Sequence, residues 1–222
     1  MWKKLEKKER IILTIIQEYL DENRVFKIKK IIPYIVARLR IKNFNINKKG
    51  IKKVIKSLIE KNYIVEGSKL SRKDILKNKT RTKIFEYIIK NPGCYFNDII
   101  TNLHIPNNVG IWHLNILLKF NFISSREFLN HDLYHCATLD FEKVKFIHVI
   151  SKKRSKKIIN YLENDNDGKN KTELSEGLSM HPNTITKYLN LLEEFGLVQK
   201  VRSSKSIIYS LTEKVNEIKI EI

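Results

Sequence analysis

The sequence has 222 residues, 42% of them hydrophobic, which is ample for a buried core and argues against low-complexity disorder. Its 43 Lys and Arg against 24 Asp and Glu give a net charge of +19, an excess that suggests a polyanionic partner, although membrane surfaces and acidic proteins also attract such a chain. The apolar run IILTII, closed by Gln17 and Glu18, is too short for a signal peptide or a membrane span, and Cys94 and Cys136 form neither a disulfide framework nor a CxxC pair. A soluble, cytoplasmic chain with no membrane partner is expected.

In chain order, Lys3 to Leu20 places Leu5, Ile12, Ile15, Ile16 and Tyr19 at helical spacing. KIKKIIPYIVARLR follows, apolar at Ile28, Ile31, Ile32, Ile35, Val36 and Leu39, with Pro33 predicted to mark the helical start. A third helix is expected over Asn47 to Lys61. After Tyr63 to Val65 the stretch EGSKLS is too short for a full hairpin, so a reduced wing is expected, and Ser71 to Asn78 reads as a linker.

Thr80 to Lys90 predicts a helix with Ile84, Tyr87 and Ile88 inward, stopped by Asn91-Pro92-Gly93. A short helix with Ile99, Ile100 and Leu103 leads to the turn IPNN and then to a helix ending near Phe120. FISSREFL and LYHCATL, flanking Asn130, His131 and Asp132, read as a hairpin. Phe141 to Ile150 reads as a strand or a connector. Lys156 to Leu162, a short helix with Leu174 and Leu178, the helix from Pro182, and a hairpin of LVQKV, RSSK and SIIYSLT complete the chain, and the tail EKVNEIKIEI suits a final helix or strand. Pro182 fits the first helical position and Gly196 the residue just past the helix end.

Part of this order repeats. Asn108, Leu114, Asn115, Leu117 and Phe120 match Asn183, Leu189, Asn190, Leu192 and Phe195 at an offset of 75, which also takes Tyr134 to Tyr209. A further offset of 59 takes Ile55, Leu58, Tyr63 and Ile64 to Leu114, Leu117, Phe122 and Ile123. One unit therefore reads three times, over 1–70, 71–150 and 151–222. The first carries nineteen Lys and Arg against seven Asp and Glu, a net +12, and is the electrostatic anchor candidate.

Helix, helix, turn, helix, strand, strand is the winged helix-turn-helix order, an architecture whose third helix enters the DNA major groove. The expected fold is mostly α with a small β component, as three tandem winged helix-turn-helix units. Asn91-Pro92-Gly93 with WHLNILLKF, and MHPNTITKYLNLLEEFGLV ahead of a tyrosine-bearing strand, resemble the multi-winged-helix transcription regulators of archaea, within the broad group that includes the ArsR-like and MarR-like repressors. The resemblance covers units two and three; unit one departs from it in a longer middle segment and a shortened wing. It implies an intracellular regulator of transcription that binds double-stranded DNA. A homodimer is expected because such proteins commonly bind half-sites about one helical turn apart.

The outward sides of the three third helices differ. Unit one offers Lys49, Lys52, Lys53 and Lys56, with Lys48 beside them, a set suited to phosphates, or to solvent if it is merely a solvated lysine side. Unit three offers Asn183, Thr186, Lys187 and Asn190, the mixture that reads base edges, with Lys200, Arg202 and Lys205 on its wing; an ordinary polar side is the alternative. Unit two offers Asn108, Ile111, Trp112 and Asn115, whose apolar pair could touch thymine methyls, another chain or a neighbouring unit. The basic runs KKLEKKER, KNKTRTK and SKKRSKK put cations at helix starts, where the dipole disfavours them.

GxxxxGK[ST], HExxH and GxSxG do not occur, so neither an enzyme nor a cofactor is expected. His131, His135 and Cys136 cluster, but strand alternation puts His135 and Cys136 on opposite sides, so no metal is assigned. Cys94 reads as a small buried residue, His113 as a satisfied core histidine, and His104 and His181 as turn residues. The rival reading is a winged-helix scaffold of transcription or chromosome machinery, and contact with that machinery is conceivable for a regulator too. RNA binding lacks the stacking platform expected of single-strand readers.

Overall fold

Apolar spacing folds the start of the chain into α1 (Lys7–Asp21), α2 (Ile28–Ile41) and α3 (Lys48–Glu60), each packing on the other two. Ile12, Ile16, Phe26, Ile31, Ile35, Ile51, Ile55 and Leu58 form their shared core. Pro33 lies inside α2 and does not start it: the helix begins at Ile28, and Pro33 sits on the exposed side, where the carbonyl it leaves without a helical donor is Lys29's, on an exposed residue. The reduced wing is a single bridge between Ile64 and Ser71.

The segment expected to be a linker is ordered. Ser71 and Asp74 form a capping box on α4 (Arg72–Ile75), and Ile75 is fully buried. α5 (Lys79–Lys90), α6 (Phe96–Leu103) and α7 (Asn107–Lys119) follow, then the antiparallel pair β1 (Ile123–Phe128) and β2 (His131–Cys136). The β1–β2 turn is Leu129-Asn130, both left-handed, so His131 and Asp132 belong to β2 and not to the turn. Ile75, Ile84, Ile88, Ile99, Leu114, Leu117, Phe120 and Ile123 make a second core, separate from the first. α7 passes so close to α6 that a Cβ on Gly110 would stand 2.8 Å from Ile100.

Arg72 joins the two cores. Its guanidinium lies 4.3 Å from the centre of the Phe122 ring and donates to the carbonyls of Asn62, Phe120 and Asn121, just beyond the ends of α3 and α7. Burial pushes its pKa down to about 10, so it stays charged at neutral pH.

α8 (Phe141–Ser151), α9 (Lys153–Glu163), α10 (Lys171–Gly177) and α11 (Pro182–Glu194) precede β3 (Val198–Arg202) and β4 (Ile207–Leu211), again antiparallel. The segment read as strand or connector is thus a helix, started by Asp140, whose side chain accepts from the amides of Glu142 and Lys143. α8 packs on α9 and α11. Ile158, Leu174, Ile185, Leu189, Leu192 and Leu197 are buried beneath them.

The computed structural model describes residues 5–22, 24–164, 167–202 and 206–215. The chain divides into two compact lobes, Met1–Leu139 and Asp140–Ile222. Lys205 and most of the C-terminal tail lie outside the described residues.

Candidate nucleic-acid interface

α3, α7 and α11 each span thirteen residues, and their first residues stand 59 and 75 positions apart, the offsets of the sequence repeat. Each ends in the same way. Asn62, Asn121 and Gly196 are left-handed, and the next amide, of Tyr63, Phe122 or Leu197, returns to the carbonyl of Leu58, Leu117 or Leu192. The bridges Cys94–Tyr134 and Lys169–Tyr209 are also 75 residues apart, so each tyrosine joins its sheet to the segment after the preceding helix.

This common frame turns most of the predicted helix residues outward. Lys48, Lys49, Lys52, Lys53 and Lys56 are exposed on α3. Lys56 pairs with Glu60 at 3.7 Å; none of the other four has a carboxylate partner among the described residues. Asn47 caps the helix by accepting from the Gly50 amide. On α11, Asn183, Lys187 and Asn190 are exposed and Thr186 is half-buried. On the wing, Arg202 is exposed, whereas Lys200 is held by Glu193 at 2.9 Å, an exposed pair that costs little to break. Asn108 and Asn115 are exposed on α7, with Ile111 at 50% and Trp112 at 56% exposure.

Trp112 does not stand alone. Its ring meets His113 edge-on at 4.8 Å and lies 5.5 Å from the Arg81 guanidinium carbon. His113 is buried, but its Nδ1 has no hydrogen-bond partner, which corrects the expectation of a satisfied core histidine. Burial and the nearby Arg81 charge both lower its pKa, so the ring is neutral at pH 7. Trp112 also lines an open cleft of about 780 Å³ together with Leu20, Gly67 and Leu70 from the preceding helical group. Sequence spacing could not find this cleft, because it depends on how the two cores are set against each other.

Cys94 is buried, as expected, and desolvation pushes its thiol up to about 12, which makes it unreactive. His135 is buried and Cys136 half-buried, as alternation requires. Among the described residues no helix is long and apolar enough to cross a membrane.

No protein-family profile matches the chain. It is 30% identical over 146 residues, 66% of its own length, to an uncharacterized HTH-type transcriptional regulator of Methanocaldococcus jannaschii. The chain spans about a third, 37%, of that relative's length. Among solved structures it is similar to a possible HxlR family transcriptional factor from Thermoplasma volcanium, with a TM-score of 0.33 and 19% identity, covering 45% of this chain and 86% of that one. It is also similar to ScpB from Mycobacterium tuberculosis, with a TM-score of 0.27 and 9% identity, covering 64% of this chain and 94% of that one.

Proposed function

We propose that this chain is a cytoplasmic transcription regulator that binds double-stranded DNA as a homodimer through three tandem winged helix-turn-helix units, over 1–70, 71–150 and 151–222, and that it catalyses nothing. The observation that carries the reading is the set of matched exposed sides on α3, α7 and α11, one of them a row of lysines almost without carboxylate partners. The relative named for a helix-turn-helix regulator supports it.

α3 supplies the grip. Lys48, Lys49, Lys52 and Lys53 neutralise phosphates and release counterions, which gives affinity that falls with salt and carries little sequence information. α11 supplies the readout: Asn183 and Asn190 suit adenine edges, Lys187 suits guanine, and Arg202 reaches the flanking backbone with Lys200 and Lys205. α7 sets assembly or spacing through Ile111 and Trp112, with Asn108 and Asn115 at its rim.

The test is a gel shift of genomic against random duplex at two salt concentrations. The expected result is tight, salt-sensitive binding to both, with a preference inside the genomic set. Binding that is absent at low salt ends this reading and favours the second one, a winged-helix scaffold that contacts protein, for which the exposure of Ile111 and Trp112 is the specific support.

A further inference from the structure

Arg81 is a buried cation without a counter-ion. It is 2% exposed, its Nη1 donates to the Ile75 carbonyl at 2.8 Å, its Nε has no partner, and no carboxylate among the described residues pairs with it. Buried charges are normally paired, because desolvating one without a partner is costly. Its position compounds the imbalance. Arg81 stands in the first turn of α5, where the helix dipole is itself positive, and that turn holds no acidic residue. Beyond the Ile75 carbonyl, its electrostatic partner among the described residues is the Trp112 ring at 5.5 Å, and neither carries a charge.

The cleft beside α7 opens next to this charge. Its lining includes Arg81, Lys69, Lys77 and Lys119 against only Asp21 and Asp74, and Asp74 already accepts from Ser71 and Lys77. One side is flat and apolar, because Trp112 lies there with Ile116 and Phe120. Its volume of about 780 Å³ falls within the range of small-molecule sites. Arg81 is nearly sealed yet borders the cleft, an opening that suits the charged end of a small anion and not a duplex backbone.

We infer that this cleft binds a small organic anion, its charged end meeting Arg81 and Lys119 and its flat apolar body lying on Trp112. Such an occupant completes the charge balance around Arg81 and covers one flank of α7.

Trp2 and Trp112 are the tryptophans of the sequence, so the full chain carrying Trp2→Phe reports the cleft through Trp112 fluorescence. Benzoate and phenyl phosphate serve as probes, with inorganic phosphate and benzyl alcohol as the charge-only and ring-only controls. A saturable fluorescence change with benzoate or phenyl phosphate is expected, and which of the two binds more tightly identifies the anionic group. Arg81→Gln and Lys119→Glu are each expected to weaken that binding about tenfold or more, as the loss of a charge-assisted contact requires. No saturable change with either probe overturns the inference, as does unaltered affinity in Arg81→Gln. Inorganic phosphate binding as tightly as phenyl phosphate overturns the organic part of it. Should Arg81→Gln fail to fold by circular dichroism, Lys119→Glu, at the exposed end of α7, decides alone. The readout needs no DNA, so its failure leaves the proposed duplex binding untouched.

Discussion

α3 and α11 share one inner side and differ on the outer one. Ile51, Ile55 and Leu58 of α3 correspond to Ile185, Leu189 and Leu192 of α11, and all six are buried. Both helices leave through a left-handed residue, Asn62 or Gly196. Outside, Lys49, Lys52 and Lys56 of the one answer to Asn183, Thr186 and Asn190 of the other. Burial restricts the inner residues to branched aliphatics of similar volume, while the largely exposed outer positions are free to differ, so side-chain chemistry changes on a shared frame.

The helices differ on one inner edge as well. Ser57 and Lys61 stand where α11 and its cap have Leu191 and Phe195, and both bond to the buried carboxylate of Glu9 at 2.6 Å. A polar tie between α1 and α3 thus replaces an apolar contact.

The comparison is broken most strongly by changing Lys49, Lys52 and Lys53 together to glutamate. Losing about three phosphate contacts weakens binding by roughly two to three orders of magnitude near 0.1 M salt, alike on every sequence, and flattens the salt slope by about three. A gel shift over a salt series reads both numbers.

Next in size is Glu9→Gln, which leaves Lys61 without its partner and costs about 3 kcal/mol in a urea titration. Burial alone raises the Glu9 pKa, but hydrogen bonds from Lys61, Ser57 and the Glu6 amide outweigh it and hold it below its ordinary value of 4.5. With the folded value the lower one, this stabilisation is present above pH 4.5 and is lost as pH falls through the folded value. The wild-type urea midpoint therefore drops more steeply in acid than that of Glu9→Gln.

Asn183→Ala with Lys187→Ala sharpens the contrast from the other side. Discrimination falls by about 1–3 kcal/mol per base pair read, while binding to random duplex changes little. Selection from a randomised duplex pool measures it, and equal loss on all sequences contradicts the readout role.

The smallest effect tests the shared exit. Gly196→Ala costs about 1 kcal/mol, because the site is open and only its φ of +69° resists a side chain. Asn62→Gly shifts the thermal midpoint slightly upward, since glycine adopts the left-handed conformation more readily than asparagine.

The third helices were legible because they obey two periods at once, 3.6 residues along each helix and fixed offsets between copies. Hairpins marked by matched tyrosines followed from the same alignment. α8 was not legible: Phe141, Val144, Ile147, Val149 and Ile150 give a β-prone composition, which outweighs the local helix signals of Asp140 at the cap, Glu142 in the first turn and His148 in the last. α4 was hidden for a different reason, since four residues are too few for periodicity and only the Ser71–Asp74 capping box betrays it. Which residues of the third helices lie largely on the outer side could be named from spacing alone. The company Trp112 keeps with Arg81 and His113 could not, because it arises from tertiary packing between segments that share no sequence pattern.

Arg72 gives the first lobe a mechanical property. One guanidinium clasps carbonyls beyond both α3 and α7, so the step from one exit to the next is metered by a rigid planar fork and not by slack in the connecting chain. The lysine row and the tryptophan-bearing helix are thereby held at a preset pitch, like neighbouring teeth on a rack.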